Sequence, residues 1–165
     1  MQVKKCIYLS IVPLLFLLLI QSGCNNQETA YNYYLALKGE SDNWNLNGYE
    51  IEMTQEKFKA GNGTLKMKSE NEYKTDSFHF NTHAVINNED ITIHSGSDTG
   101  LGIDIAEETT GTIEAATYLN KNGDPITLDE ISDIYIIVEW WDRNKSKNVK
   151  ERINLYRKTD MELNS

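Results

Sequence analysis

The chain has 165 residues, of which 39% are hydrophobic, and it carries a formal net charge of −9 at pH 7. Phosphate backbones repel so acidic a chain, which argues against a nucleic-acid partner. Its two cysteines, Cys6 and Cys24, both lie near the N-terminus. The chain after Cys24 therefore has no thiol. It can form no disulfide, no cysteine-ligated zinc or iron–sulfur site, and no cysteine nucleophile.

The first 23 residues have the pattern of an export signal. Lys4 and Lys5 form a cationic start, and an apolar run follows from Ile7 to Ile20. The run is shorter than the roughly 20 apolar residues that a membrane-spanning helix needs, and Pro13 interrupts it. This favours export followed by removal of the segment, with a stop-transfer helix as the alternative.

A cysteine motif follows the apolar run. Gln21-Ser22-Gly23-Cys24 resembles a lipobox, the processing signal of bacterial lipoproteins, although Gln21 stands where that class usually has an aliphatic residue. The resemblance implies cleavage between Gly23 and Cys24 and a thioether-linked diacylglycerol, with fatty acids such as palmitate, on Cys24. Two acyl chains suffice for stable anchoring, because each buried CH₂ contributes about 0.8 kcal/mol. An ordinary secretory signal with a chance cysteine is the alternative.

Cleavage at this position divides the chain into three predicted parts. Residues 1–23 are the signal peptide, residues 24–38 a lipid-anchored tether, and residues 39–165 one β-sandwich domain. A short helix packed on the domain is the alternative for the tether. The processed chain has 165 − 23 = 142 residues and a formal charge of −9 − 2 = −11, because Lys4 and Lys5 are lost. This length suffices for one domain with its own core.

Short segments of alternating polarity, separated by Gly, Asn and Asp turns, begin at Gly39 and are typical of an all-β domain. The most apolar segment, Asp133–Asp142, predicts a central strand covered on both faces, and it forms a hairpin with Asn148–Tyr156. Some seven or eight strands predict an antiparallel two-sheet sandwich of immunoglobulin-like type rather than a closed barrel. The other predicted strands are Leu46–Thr54, Gly63–Lys68, Phe78–Ile86, Asp90–His94 and Thr112–Leu119.

Three connecting segments carry weaker signals. Residues 95–110 are too polar for a central strand, but apolar residues alternate in their middle, so part of this segment is predicted to be an edge strand. Asn122-Gly123 predicts a tight turn, because the pair tolerates positive φ angles. Thr127 with Glu130 three residues later predicts a capped helical turn.

Two motifs connect the chain to a family. Gly39-Glu40-Ser41-Asp42-Asn43-Trp44 opens the predicted domain, and Val138-Glu139-Trp140-Trp141-Asp142 is followed by Glu151-Arg152-Ile153-Asn154-Leu155 near its end. These motifs resemble the Glu-Ser-x-Asn-Trp entry and the terminal β-hairpin of small uncharacterised surface lipoproteins of low-GC Gram-positive bacteria. The resemblance implies a surface location and an all-β domain, and it supplies no catalytic residue.

The three histidines, His79, His83 and His94, are the first candidates for chemistry. On one strand His79 and His83 share a face about 13 Å apart, too far to share a metal ion. Exposed strand histidines are therefore expected. The chain also lacks a Gly-x-Ser-x-Gly elbow, a Gly-x-x-x-x-Gly-Lys loop and a His-Glu-x-x-His helix. No catalytic residue is assigned.

The acidic segment 96–111 offers oxygen ligands of the kind that calcium prefers. Asp98, Asp104, Glu107 and Glu108 lie there among glycines and hydroxyl side chains, but their spacing matches no EF-hand. A solvated loop is favoured, and calcium binding is the alternative.

Two other features point to ligands of different kinds. Neighbouring Trp140 and Trp141 point to opposite sides of a strand, so one is expected in the core and at most one remains to stack on a sugar. The segment Arg143–Arg152 contains five cations in ten residues. A solvated hairpin tip is favoured for it, and contact with an anionic surface is the alternative.

The expected function is that of a membrane-anchored extracytoplasmic lipoprotein that acts as a non-catalytic binding or interaction module on the cell membrane. Cys24 is the one assigned site residue, no metal or cofactor is expected, and the ligand stays open. The expected partners are the membrane, through the lipid anchor, and another envelope protein or a wall polymer. A cell-envelope hydrolase and a calcium-dependent carbohydrate-binding protein are the alternatives.

Overall fold

Ten β-strands and one short 3₁₀ helix form most of the computed structural model, which describes residues 31–68 and 70–158. The strands make two antiparallel sheets that pack on each other, which confirms the predicted all-β sandwich. The strands are β1 (Asn32–Glu40), β2 (Trp44–Thr54), β3 (Lys57–Gly61), β4 (Thr64–Met67), β5 (Lys74–Ile86), β6 (Glu89–Asp104), β7 (Glu107–Thr109), β8 (Thr112–Ala116), β9 (Ile131–Asp142) and β10 (Lys147–Arg157). The 3₁₀ helix is Leu128–Glu130.

The first sheet is organised around β2. β1 pairs with one side of β2, and β3 and β4 pair in succession with the other side, so they act as one strand interrupted between Gly61 and Gly63. β8 pairs with the outer side of β3, and β7 pairs with the outer side of β4. β7 and β8 therefore also act as one strand, which is interrupted at Thr110 and Gly111. A Cβ at Gly61 would lie 2.1 Å from the Gly111 carbonyl oxygen, so only glycine fits there. The two interruptions separate β3 from β4 and β7 from β8, and with β1 the count reaches ten, above the predicted seven or eight.

The second sheet has the order β10-β9-β5-β6, so β9 and β5 lie in its middle. The predicted terminal hairpin and the central position of Asp133–Asp142 are therefore confirmed. Ile134, Ile136, Val138 and Trp140 of β9 are buried in the core. The prediction that β9 is covered on both faces is met in part, because Tyr135 on the second face is buried while Ile137 is half-buried. Side chains of the neighbouring strands provide this cover, as they do at Tyr135.

The core lies between the two sheets and contains a cluster of aromatic side chains. Trp44 packs edge-on against Trp140, with ring centroids 5.6 Å apart, and lies at the same distance from Phe78. Burial of a large apolar side chain contributes about 1.5–3 kcal/mol, so this core holds the sheets together. The largest fully buried side chains are Trp44, Tyr49, Phe58, Leu46, Ile51, Met53, Leu65, Ile105, Ile126, Ile131, Ile134 and Ile136.

Strand β1 corrects the predicted tether. The tether assigned to residues 24–38 is wrong from Asn32 onward, because Asn32–Glu40 pairs with β2. Leu37 is buried and Tyr33 and Leu35 pack against the core, which is the two-residue period of a strand. The domain therefore includes residues that precede its predicted start at residue 39. The rest of the predicted tether and the signal peptide lie outside the described residues.

The connecting segments match the weaker predictions in part. The polar segment after Asp90–His94 continues as β6, which is an edge strand of its sheet. The helical turn is confirmed, and the Thr127 backbone N–H donates to the Glu130 carboxylate at 2.9 Å. Strand β3 has no counterpart among the predicted strands, although its buried Phe58 and Ala60 alternate with half-buried lysines.

The sandwich has two ends with different contents. The terminal end holds both ends of the described chain. It is defined by Tyr31, Thr54–Lys57, Asn87–Asn88, Ile126–Glu130 and Arg157. The Tyr31 hydroxyl donates to the Ile126 carbonyl at 2.7 Å, and the Asn87 N–H donates to the Glu130 carbonyl at 2.9 Å. The opposite hairpin end is defined by Ser41–Asn43, Glu70–Tyr73 and Arg143–Ser146. The twelve residues of β9 place the two ends about 40 Å apart.

Candidate functional site

A polar cavity at the hairpin end is the candidate site with the most varied chemistry. It has a volume of about 200 Å³ and lies where the β1–β2 turn, the segment between β4 and β5, and the β9–β10 turn meet. It is lined by two aromatic side chains, three charged side chains, two amides and a thioether. These residues are Asn43, Met67, Glu70, Tyr73, Trp140, Asp142, Asn144 and Lys145.

Two other cavities have larger volumes but simpler linings. One of about 270 Å³ lies at the terminal end, between Ile91, Tyr118 and the exposed Leu119. The other, about 310 Å³, lies on the surface beside Gly39 and Asn47. No buried charged or polar side chain lines either cavity. The hairpin-end cavity differs because Asp142 and Trp140 are 4% and 3% exposed, respectively.

Asp142 is held in place by the turn that follows it. One carboxylate oxygen accepts from the backbone N–H groups of Asn144 and Lys145, at 2.9 and 3.1 Å. The other lies 3.0 Å from the Lys145 ammonium. Burial opposes ionisation of the carboxyl, but the hydrogen bonds from Lys145 outweigh it and keep the pKa of Asp142 below its ordinary value. Asp142 is therefore a fixed negative charge in the wall of the cavity.

The aromatic part of the cavity is formed by Trp140 and Tyr73. Trp140 is anchored in the core against Trp44, and its indole Nε1 is buried without a hydrogen bond of normal geometry. The Tyr73 hydroxyl lies close to it. Burial raises the pKa of this phenol, and the neighbouring Trp140 N–H partly offsets that rise. Both aromatic side chains therefore line the cavity, Trp140 as a buried group and Tyr73 as a half-buried one.

The charges in the cavity do not balance. Lys145 pairs with Asp142, which leaves Glu70 without an ion pair or hydrogen bond to any other described residue. The three charged lining groups therefore sum to −1. Glu151 lies next to the cavity residue Asn43 and accepts from its backbone N–H at 3.0 Å, so it adds a further carboxylate nearby. The arrangement favours a cation over an anion.

The outer face of the second sheet carries a stack of planar side chains. His83 stacks on Tyr135 with centroids 4.8 Å apart, and the Arg152 guanidinium lies 3.5 Å from the same ring centroid. His83 Nδ1 lies 2.9 Å from the Asp90 carboxylate, which also accepts from the Tyr135 hydroxyl. Burial and this hydrogen bond raise the pKa of Tyr135 to about 12. No described hydroxyl or thiol is hydrogen-bonded to His83, so the His–Asp pair has no nucleophile beside it.

His94 contradicts the prediction of exposed histidines. A β-bulge shifts the register between β5 and β6, so Ile93 and His94 are both buried in succession. The Tyr49 hydroxyl and His94 Nδ1 are 2.9 Å apart and link the two sheets. Burial lowers the pKa of His94, partly offset by a hydrogen bond to the Thr110 backbone. His79 is exposed as predicted, and it shares no ion with His83 in the described structure.

The acidic segment is not a loop. Residues up to Asp104 belong to β6, and Glu107 and Glu108 belong to β7 in the other sheet. Asp104 accepts from the backbone N–H groups of Tyr73 and Ala106, and Glu107 pairs with a lysine. Burial, and then the carboxylates of Asp98 and Asp104, raise the pKa of Glu108. Among residues 31–68 and 70–158, no three His, Cys, Asp or Glu side chains could hold a metal ion.

The tryptophans and the basic segment are both accounted for by the fold. Trp140 is buried and Trp141 is half-buried on the outer face, as the prediction of opposite orientations requires. Four of the five cations of Arg143–Arg152 are paired with carboxylates, which leaves little free positive charge for an anionic surface. The pairs are Arg143 with Asp76, Lys145 with Asp142, Lys150 with Glu139, and Arg152 with Asp133.

Sequence reasoning missed the hairpin-end cavity. Its residues come from three separate turns, and the only local signal was Asp142 directly before Arg-Asn-Lys, a pattern that closes a turn through a carboxylate. Cys24 lies outside the described residues. No helix in the described part of the chain is both long and apolar enough to cross a membrane. No family model, curated protein or solved structure matches the chain.

Proposed function

We propose that the protein is an exported lipoprotein, cleaved before Cys24 and held by lipid on the extracytoplasmic face of the cell membrane, where it acts as a non-catalytic binding module. The export pattern and the Gln21-Ser22-Gly23-Cys24 motif support the anchor. The binding role rests on the fixed carboxylate and aromatic lining of the hairpin-end cavity. The absence of a nucleophile beside the described His–Asp pair favours binding over hydrolysis.

The observation that carries this proposal is the opposite placement of the chain's start and the cavity. Seven residues lie between Cys24 and Asn32, and the eight Cα–Cα steps that join the two span at most about 29 Å. The terminal end is therefore the end nearer the lipid. The hairpin end, about 40 Å further along the sandwich, faces away from the membrane. A cavity there is accessible to molecules of the envelope or the medium.

Metabolic labelling with a fatty acid tests the anchor. Cys24→Ala is expected to abolish the label, because the thiol that forms the thioether is removed. Cys6→Ala is the matched control, since Cys6 lies in the predicted signal peptide, and it is expected to label like the unsubstituted protein. Equal labelling of the Cys24→Ala protein would overturn the lipoprotein assignment.

Site-specific photo-crosslinking on intact cells tests which end binds. A photoreactive amino acid at Asn144, in the cavity, is expected to give adducts with envelope material. The same group at Asn88, an exposed turn residue of the terminal end, is the control. Adducts from Asn88 but none from Asn144 would contradict binding at the hairpin end.

A further inference from the structure

We infer that the hairpin-end cavity binds a small organic ammonium ion. This inference deepens the proposed function, because it gives the chemical class of the ligand for the same site. It depends on three properties of the cavity: its size, its charge and the nature of its walls. Each property excludes a different class of competing ligand.

The size of the cavity limits the ligand to a small molecule or a terminal group. The cavity has a volume of about 200 Å³. Typical sites for drug-sized ligands are about 300–1,000 Å³. A choline-sized ion, or one ammonium-bearing group of a larger molecule, fits this volume. A whole sugar chain or a folded peptide cannot enter it, although one end group of such a molecule can.

The charge of the cavity selects a cation. Asp142 already has the Lys145 ammonium at 3.0 Å, so the pair is neutral as a unit. Glu70 is the remaining charge, and no described cation neutralises it. A ligand ammonium would complete the set, whereas a carboxylate or phosphate would meet an uncompensated negative charge. Glu70 is exposed to solvent, so this attraction is weaker than in an enclosed site, in keeping with a ligand that binds with modest affinity.

The walls of the cavity favour an organic cation over a metal ion. No three acidic or histidine side chains of the described residues converge, as a calcium site would require. Besides its charged groups and two amides, the cavity is lined by Tyr73, Trp140 and the thioether of Met67. Aromatic and thioether groups pack well against the methyl or methylene groups that surround an organic ammonium, and aromatic rings attract such cations. Hydrated metal ions gain nothing from these walls.

The site also needs little rearrangement to bind. Asp142 is fixed by two backbone N–H groups and one ammonium, and Trp140 is fixed by the core. Groups that are already ordered lose little conformational entropy when a ligand arrives. Glu70 is exposed and Tyr73 is half-buried, so these two side chains are free to adjust to the ligand.

The test uses the full lipidated protein in a maltoside detergent, since phosphocholine detergents would occupy the site. Choline is titrated while two-dimensional NMR follows the indole N–H of Trp140 and the amides of Asn144 and Lys145. These signals are expected to shift together at millimolar choline. The neutral isostere 3,3-dimethyl-1-butanol, which has the same shape without the charge, is expected to leave them unchanged. Equal shifts with both compounds, or choline shifts elsewhere only, would overturn the inference.

A pair of charge variants assigns the effect to the cavity. Glu70→Gln keeps the shape of the side chain and is expected to raise the choline Kd about fivefold, in keeping with the loss of one partly exposed charge interaction. Glu72→Gln is the matched control, because Glu72 pairs with Lys74 outside the cavity, and its Kd is expected to stay within twofold. An unchanged Kd in Glu70→Gln would contradict the inference. If choline does not bind in this way but fatty-acid labelling is normal and Asn144 gives adducts, the ligand class is rejected. The proposed function is then unaffected.

Discussion

The two faces of the second sheet are built from the same strands but are covered in different ways. The inner face of β9 presents Ile134, Ile136 and Val138 to the opposite sheet, where all three are fully buried. The outer face presents Tyr135, which is covered sideways by Arg152 and His83 of adjacent strands. Stability is therefore expected to depend on apolar packing at the inner face, and on partly solvated polar contacts at the outer face.

The largest expected difference between the faces comes from neighbouring isoleucines. Ile136→Ala is expected to lower the free energy of unfolding by about 2–5 kcal/mol, because it leaves a cavity in a fully buried position. Ile137→Ala, on the half-buried outer face, is the control and is expected to cost less than about 1.5 kcal/mol. Urea denaturation measures both. Equal losses would mean that the two faces contribute alike.

His94 predicts a pH dependence that originates at the inner face. Its pKa in the folded domain lies below the ordinary value of 6.5, so the unfolded chain takes up the proton first as the pH falls. Stability from this group is present above pH 6.5 and is lost as the pH falls from there through the lowered pKa. Urea midpoints measured between pH 7.5 and 5 are expected to decrease.

The matched variants identify the group responsible. His94→Gln is expected to lower stability at pH 7.5 and to flatten the decrease toward pH 5, because the titrating group is gone. His79→Gln, at an exposed position on β5, is expected to keep the decrease. A profile in His94→Gln that is as steep as in the unsubstituted protein would contradict the assignment.

The outer face is expected to respond more weakly. Tyr135→Phe keeps the ring that His83 stacks on and removes the hydroxyl that donates to Asp90, so a loss of about 0.5–1.5 kcal/mol is expected. Tyr34→Phe is the control, because its hydroxyl donates to Glu50 at an exposed position. Thermal unfolding compares the two, and a larger loss in Tyr34→Phe would show that burial does not set the strength of these bonds.

The smallest effect is expected at the hairpin turn. Lys147→Ala removes a lysine with no ion pair to the described residues and is expected to change stability by less than about 0.5 kcal/mol. Lys145→Ala removes the ammonium beside the buried Asp142 carboxylate, so its loss is expected to be greater. Chemical denaturation at low and high salt separates the two. A Lys147→Ala loss that equals the Lys145→Ala loss would contradict this ranking.

The contrast between the faces also explains which parts of the fold were predictable. Asp133–Asp142 combines high apolarity with β-branched residues, so its central position followed from composition. The way in which the second face of β9 is covered could not be predicted from composition. In the sequence, an apolar residue covered by a neighbouring arginine looks the same as one covered by another layer. Strand β1 was assigned to a tether because its exposed Tyr34 and Lys38 obscured the alternation of Tyr33, Leu35 and Leu37.

Local irregularities account for most other errors. A one-residue bulge reverses the orientation of every later side chain in a strand, and nothing in Ile91-Thr92-Ile93-His94 marks where the bulge occurs. His94 was therefore placed on the wrong face. The hairpin-end cavity escaped prediction for a different reason. Glu70, Tyr73 and Asp142 come together only through the pairing of distant strands, which sequence spacing does not encode.

The paired interruption at Gly61–Gly63 and Thr110–Gly111 has a consequence for neighbouring molecules. It leaves the outer edge of the first sheet as two short strands, β7 of three residues and β8 of five. A long, regular edge would offer a continuous row of unpaired N–H and C=O groups to another copy of the chain. The kinked edge offers no such row. This edge of the first sheet is thereby protected against pairing with a second copy, whereas the long edge strand β6 of the second sheet is not divided by such a break.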